Sequence, residues 1–172
     1  MKFDFDVGDT NFLALVNANK YYSFVNENWQ LSELKEHFIK EADKNNILVF
    51  QMTNEGIESD WKIEVEFNDN EKYDKCFRKA VGYIEVNQEE LCFVEYTCLT
   101  MAAQFEDEKV PDSYCEKFKF QVDNGIYRVN IIQFYDVDNE QHYGRDDTDI
   151  LFQLVKVKDI PTAESEVYWY TY

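Results

Sequence analysis

The sequence has few residues that interrupt regular structure and none of the common motifs that bind phosphate or hydrolyse a substrate. Its 172 residues include 5 glycines and 2 prolines, so it has neither a long linker nor a low-complexity segment. A glycine-rich phosphate loop, an H-E-x-x-H sequence and a G-x-S-x-G sequence are all absent. No apolar run approaches the roughly 18 residues that a membrane-spanning helix needs. We therefore predict a single domain over residues 1–172 that does not span a membrane.

Basic residues are also scarce. The chain has 17 Lys and Arg against 35 Asp and Glu, and its formal net charge is −18. Nucleic acids and anionic membranes both bind cationic surfaces, so we expect no direct contact with either. Solubility needs only ~2–8 units of net charge in a small domain. The excess indicates attraction of a cationic protein partner.

Histidine and cysteine offer little material for a catalytic or metal site. There are 2 histidines, and the 4 cysteines form no C-x-x-C pair, which argues against a zinc ribbon or a redox motif. Residues 1–6 carry acidic side chains where a secretory signal needs an apolar core. We expect a cytoplasmic protein with free thiols. We also expect no cofactor, no metal and no enzymatic activity.

Two acidic groups come closest to a metal site, and neither meets the requirements. Glu33, His37 and Glu41 are spaced by one helical turn, but no further ligand cluster accompanies them. The segment that starts at Asp136 resembles the beginning of a calcium loop, but its sixth and twelfth residues are Gln and Asp instead of Gly and Glu. We interpret the first group as a solvated helix edge and the second as part of an acidic loop.

Apolar and polar residues alternate with a period of two along much of the chain. This pattern is typical of strands with one buried face, and it occurs at residues 3–7, 61–67 and 117–122. Other segments are apolar on both faces, at residues 47–50, 91–94, 126–135 and 151–157. Strands with one wet face build antiparallel sheets. We predict a mainly β fold, an antiparallel β-sandwich.

One segment has a helical period instead. Leu34, Phe38, Ile39 and Ala42 form a single apolar stripe, and Ser32 is a fitting N-cap. The sequence predicts one amphipathic helix over about residues 33–44, packed at a side or an end of the sandwich. Residues 101–103 allow a shorter helical turn.

Two acidic loops are the candidate contacts for a basic partner, because they are the densest acidic segments in the chain. Aromatic residues dominate binding hot spots, so Tyr21, Tyr22, Tyr143 and the tail 168–172 are candidate anchors. The predicted partner-binding residues are Glu106, Asp107, Glu108, Asp136, Asp138, Glu140, Tyr143, Asp146, Asp147 and Asp149.

Part of the chain resembles a known family. The strands at 47–52 and 61–67, then 118–120 and a hairpin with Gly-x-Tyr-x-Val at 125–129, resemble in order the competence-protein-J family of bacterial nuclease inhibitors. The resemblance covers about half of the chain. It implies inhibition of a nuclease and, more broadly, the role of an immunity protein in a bacterial toxin system. No functional residue is carried over.

Three functions remain open at this point. The first is an immunity protein that neutralises a bacterial nuclease toxin by blocking its active site. The alternative is a nucleic-acid mimic, such as an antirestriction-type inhibitor of a DNA-binding protein. An enzyme with a carboxylate site is the third. A compact acidic patch favours the first, a long acidic stripe the second, and a deep cleft with paired acids the third.

Overall fold

A computed structural model describes residues 1–5, 12–57, 59–161 and 165–171. The strands are β1 (Lys2–Phe5), β2 (Phe12–Val16), β3 (Ile47–Gln51), β4 (Trp61–Glu66), β5 (Arg78–Val86), β6 (Glu90–Glu95), β7 (Lys119–Gln121), β8 (Gly125–Gln133), β9 (Tyr135–Asp136), β10 (Gln141–His142) and β11 (Ile150–Val157). The helices are α1 (Leu31–Ala42) and α2 (Tyr96–Gln104), and a 3₁₀ turn covers Cys115–Phe118. The end of the predicted first strand, at Val7, and the last tail residue, Tyr172, lie outside the described residues.

Most strands belong to two sheets, and the prediction of a mainly β, sandwich-like fold is confirmed. One sheet has the order β1-β4-β11-β8-β5, the other has the order β3-β2-β6-β7, and β9 and β10 form a separate two-stranded hairpin. Among the strands that the structure describes, β4 and β11 run parallel, with Ile63 opposite Ile150, and the other pairs are antiparallel. The alternation pattern did not predict this pair. A parallel neighbour suits β11 because its first five residues are buried on both faces.

Phenylalanine side chains fill the space between the two sheets. The ring of Phe152 on β11 lies 5.7 Å from that of Phe50 on β3 and 4.9 Å from that of Phe93 on β6, measured between centroids. Phe3 on β1 crosses to the other sheet in the same way, 5.7 Å from Phe93. Tilted and edge-on ring pairs of this kind stabilise a core beyond their buried area.

Helix α1 carries the predicted apolar stripe, with small differences at its ends. It begins at Leu31 and ends at Ala42, about two residues earlier at each end than predicted. The Glu33 carboxylate accepts a hydrogen bond from the backbone N–H of Gln30 at 2.8 Å, so Gln30 is the N-cap rather than Ser32. Leu34, Phe38 and Ala42 are buried, and so is Glu41, so the interpretation of Glu33, His37 and Glu41 as a solvated helix edge is wrong for Glu41.

A second full helix, α2, follows β6 without a loop. The sequence predicts only a short turn near residues 101–103. The carboxylate of Glu95 accepts hydrogen bonds from the N–H groups of Thr97 at 2.8 Å and Cys98 at 2.7 Å, which caps the helix and ends the strand at one residue. Residues 91–94 before Glu95 are all apolar, so the sequence shows no visible change from the period of a strand to that of a helix. Neither helix in the described part of the chain is long and apolar enough to cross a bilayer.

The aromatic tail covers the edge of β3. The backbone N–H of Tyr168 donates to the carbonyl of Val49 at 2.9 Å, and its carbonyl accepts from Gln51 at 3.0 Å. Its ring stacks on Phe50 at 5.3 Å between centroids. The tail, through Tyr168, is therefore edge packing, which protects an exposed strand edge from pairing with other chains.

Candidate partner-binding surface

The structure buries two of the predicted rim carboxylates in the segment 136–149. Asp136 is 3 % exposed and Asp149 is 5 % exposed. One oxygen of Asp149 accepts a hydrogen bond from the backbone N–H of Lys62 at 2.7 Å, and the other lies 2.9 Å from Nε2 of His142. Asp136 accepts from the side-chain amide of Asn139 at 2.9 Å. Both carboxylates hold loops together, and their assignment to an exposed contact rim is corrected here.

Asp138 and Asp147 are bound to other parts of the chain. Asp138 accepts the hydroxyl of Thr53 at 2.5 Å and the backbone N–H groups of residues 54 and 55. Burial opposes ionisation of Asp138, but these hydrogen bonds hold the pKa of its carboxyl below the usual value. Asp147 is paired with Arg145 and Lys2, each at 3.0 Å. Hydrogen bonds from Arg145 and then Lys2 lower the pKa of the Asp147 carboxyl strongly.

Besides Asp147, which is exposed but ion-paired, three predicted residues of this segment remain accessible. Glu140 and Asp146 are exposed, and Tyr143 is half-buried. The Tyr143 ring stacks on Phe77 with 5.7 Å between centroids, and its hydroxyl donates to Gln141 at 3.1 Å. The segment therefore offers much less free negative charge than its composition indicates.

Arg78 joins several segments at this end of the molecule, and no local sequence pattern indicates that role. Its guanidinium carbon lies 4.1 Å from the centroid of the Trp169 ring, and its Nη2 donates to the carbonyl of Gln51 at 2.9 Å. Burial lowers the pKa of the Arg78 guanidinium to about 10, although the charges of Asp136 and Asp138 oppose this shift. The acids that the sequence assigns to a partner thus face a cation of the same chain.

The second predicted segment has the opposite character. Glu106, Asp107 and Glu108 follow α2, all three are exposed, and no ion pair involves them among the residues that the structure describes. A turn in which the N–H of Glu108 donates to the carbonyl of Phe105 at 3.3 Å shapes this run. This run is therefore the densest group of free carboxylates in the two predicted segments.

An open hollow of about 320 Å³ lies beside this acidic run. We call it the acidic hollow and define it by Tyr22, Val25, Glu106, Glu108 and Val110, which line it together with Tyr21, Lys109 and three small residues. Tyr22 is 75 % exposed and Val25 is 53 % exposed, which is unusual for large apolar side chains. A backbone hydrogen bond of 2.9 Å from Asn26 to Ala103 ties the segment that carries them to the end of α2.

Only one of the two neighbouring tyrosines fits the predicted role of anchor. Tyr21 is 4 % exposed, and its ring packs edge-on against His37 at 5.7 Å. Burial strongly raises the pKa of the Tyr21 hydroxyl. Tyr21 is therefore a core residue, and Tyr22 is the tyrosine available to a partner.

Two cysteines and an aspartate, which flank the run Glu106 to Glu108 in the chain, lie close together. The Sγ atoms of Cys98 and Cys115 and a carboxylate oxygen of Asp112 all lie within 4.8 Å of one another. The N–H of Cys115 donates to Asp112 at 2.7 Å. All four cysteines of the chain are free thiols, as predicted. The group of three was not found from the sequence because its members are separated by 13 and 2 intervening residues.

Two solved proteins of very low sequence identity are similar in structure to the chain. No protein-family model matches it, and no curated protein sequence does. One similar structure is ComJ, the inhibitor of the DNA degrading activity of NucA, from Bacillus subtilis, with 8% identity over 91% of this chain and 94% of that chain and a TM-score of 0.46. Another is the product of crocagin biosynthetic gene J, with 11% identity over 92% and 96% of the two chains and a TM-score of 0.55. The second likeness shows that the fold is shared over nearly the whole described chain.

Proposed function

We propose that this protein acts by binding rather than by catalysis, and that it inhibits a basic protein partner as an immunity protein does. The observation that carries the proposal is the acidic hollow. Glu106 and Glu108 line this opening together with exposed Tyr22 and Val25, and neither these two carboxylates nor that of Asp107 between them has an ion pair in the described structure.

The composition of the hollow is that of a protein interface. Binding energy concentrates in a few aromatic and aliphatic anchors at the centre of a contact, while charges at its rim guide the approach of the partner. Tyr22 and Val25 supply the anchors, and Glu106 and Glu108 supply the rim, with the exposed Asp107 between them in the chain. A partner that fits has a cationic surface and one apolar side chain that enters the hollow.

A bacterial nuclease, as part of a toxin, is the class of partner that we propose. A nuclease must hold phosphate groups, and phosphates are bound by clusters of Lys and Arg. Its active site is therefore a cationic surface that a chain with a net charge of −18 attracts. The resemblance of residues 47–52, 61–67, 118–120 and 124–129 to the competence-protein-J family supports the same class.

The alternative, a nucleic-acid mimic, has less support. A mimic needs a continuous row of free carboxylates. On the outer side of the larger sheet, Arg145 binds Glu64 at 2.8 Å, and Arg128 binds Asp69 at 2.5 Å. These ion pairs interrupt the negative charge, whereas the acidic hollow keeps its charge in one compact patch.

The proposal is tested by finding the partner and measuring its activity. The protein is immobilised, and a lysate of the source cells is passed over it at low and then at higher salt. Retained proteins are identified by mass spectrometry, purified and assayed for degradation of DNA with and without an equimolar amount of this protein. We expect a basic nuclease whose activity the protein abolishes. A retained set without a basic protein, or a retained nuclease that stays fully active, would contradict the proposal.

A further inference from the structure

We propose that Cys98, Asp112 and Cys115 form a binding site for a borderline-soft divalent cation, and that Zn²⁺ is the ion for which the donor set is best suited. Two thiolates and one carboxylate are ligands that Zn²⁺ accepts, usually in a tetrahedral arrangement. None of these three residues lines the acidic hollow, so the site can be tested without the partner.

The distances between the donor atoms are close to those that a bound ion requires. Zn–S bonds of ~2.3 Å at tetrahedral angles place two sulfurs ~3.8 Å apart. The three donor atoms already lie within 4.8 Å of one another. Side-chain rotations that move each donor atom by less than about 1 Å therefore complete the site. With three protein ligands, the fourth position falls to water, an arrangement known in zinc proteins.

The backbone on both sides of the site is held in place by other contacts. Cys98 lies in the first turn of α2, where its N–H donates to the Glu95 carboxylate at 2.7 Å. Cys115 begins the 3₁₀ turn, and its N–H donates to Oδ1 of Asp112 at 2.7 Å. A carboxylate has two oxygens with several acceptor positions, so it can accept this bond and ligate an ion at the same time. The thiol of Cys92 donates to the carbonyl of Cys115 at 3.3 Å and supports the site from behind.

The burial of the donor atoms favours a firmly bound ion and leaves one route into the site. Cys98 is 1 % exposed and Cys115 is fully buried, whereas Asp112 is half-buried and faces the surface. A cation would therefore enter past Asp112. Binding converts two thiols into thiolates and releases two protons to solvent, so the affinity rises with pH.

The site lies where it can control the acidic hollow. Cys98 precedes and Asp112 and Cys115 follow the run Glu106 to Glu108, so a bound ion would join both ends of the loop that carries it. A link between the two ends of a loop reduces the number of conformations that the loop can adopt, which stabilises the arrangement seen in the folded protein. We expect the metal-bound protein to hold residues 105–114 more rigidly than the metal-free protein.

The test uses the reduced, metal-free full chain and Co²⁺, which binds to zinc ligand sets and reports on them by absorption. We expect one Co²⁺ per chain, with a sulfur-to-cobalt charge-transfer band and the visible bands of a tetrahedral ion, and displacement by Zn²⁺. Cys98→Ser and Cys115→Ser should abolish the charge-transfer band. Cys76→Ser is the matched control, because Cys76 packs beside Ile132 and Phe134, away from the site, and it should leave the band unchanged. Asp112→Asn should weaken binding more than about tenfold, the least that loss of a supporting contact usually costs a metal site.

Measurements on the wild-type protein decide the question if a serine variant does not fold. Absence of a charge-transfer band from the wild type would overturn the proposal, and so would a band that survives both serine substitutions. Titration of only two thiols in the unreduced, denatured protein would also overturn it, because Cys98 and Cys115 would then form a disulfide. Hydrogen exchange of residues 105–114 should slow when Zn²⁺ is added, and unchanged exchange would remove the inferred effect on the loop. None of these measurements requires the partner.

Discussion

Neutralising the acidic run should slow the association of the protein with its partner, and should do so most at low salt. The perturbation is the triple substitution Glu106→Gln, Asp107→Asn and Glu108→Gln, which leaves the size of each side chain nearly unchanged. The residues are exposed, so the fold should tolerate the change. A matched triple, Asp4→Asn, Glu89→Gln and Asp123→Asn, alters exposed acids on β1 and in two turns. Both variants change the formal net charge from −18 to −15.

The size of the effect follows from Coulomb's law with screening. Two unit charges ~10 Å apart attract each other by ~0.4 kcal/mol in water. Screening leaves ~0.1 kcal/mol of this at ~0.15 M salt and ~0.3 kcal/mol at ~0.01 M salt. Three carboxylates that face three cations form about nine such pairs, so the lost attraction is ~1 kcal/mol at the higher salt and ~2.7 kcal/mol at the lower salt. The association rate should therefore fall about sixfold and about a hundredfold, respectively.

The assay is stopped-flow or surface-based kinetics with the partner that the retention experiment identifies, at several salt concentrations. The rate for the control triple should fall much less, because its charges do not face the partner. The dissociation rate of the Glu106 triple should change little, since rim charges act mainly on the approach. Equal losses in the two triples would mean that only net charge matters. Unchanged association in the Glu106 triple would refute the acidic hollow as the contact.

Three further outcomes follow from the same structure. Tyr22→Ala should accelerate dissociation by about thirtyfold or more, because a hot-spot anchor contributes ~2 kcal/mol to binding, and should leave the association rate nearly unchanged. An effect confined to association would contradict the role of Tyr22 as an anchor. Phe152→Ala should lower the free energy of unfolding by ~3–5 kcal/mol in urea denaturation, because it leaves a cavity between the sheets, whereas the exposed Val81→Ala should cost less than ~0.5 kcal/mol. Asp138→Ala should destabilise the protein by ~1–2 kcal/mol at neutral pH, through the lost bonds to residues 53–55. The folded-state pKa of Asp138 is lowered, so its contribution to stability is fully present above the ordinary pKa of 3.8. The contribution disappears as the pH falls through the lower folded-state pKa. A stability difference between wild type and variant that persists undiminished in strong acid would contradict this assignment.

Local patterns in the sequence predicted most of the regular elements. The stripe Leu34, Phe38 and Ala42 identified α1, and period-two alternation identified β4. Both patterns arise because one face of a single helix or strand packs against the core, so they are visible within about a dozen residues. Helix α2 was predicted only as a short turn, because Glu95 ends a strand and caps a helix at the same time. A strand and a buried helix have similar composition when both are apolar.

The burial of acidic side chains could not be predicted from composition. Asp138 and Asp149 are as acidic as Glu106 in the sequence, but their partners are far along the chain: Thr53 for Asp138 and the backbone of Lys62 for Asp149. Whether a carboxylate is free or held depends on which loops meet at the end of a sheet. The exposed run at Glu106 was predicted, but its position beside Tyr22 and Val25 was not.

The sequence by itself determined the class of fold and the sign of the surface charge, because hydrophobic periodicity and net charge are sums over local residues. Only the tertiary structure decided which charges remain free, where apolar side chains stay exposed beside them, and that Cys98 and Cys115 approach Asp112. Those features depend on the pairing of β6 with β2 and β7 and on the path of the chain from α2 to the 3₁₀ turn. Such contacts join residues that are distant in the chain, and no local pattern records them.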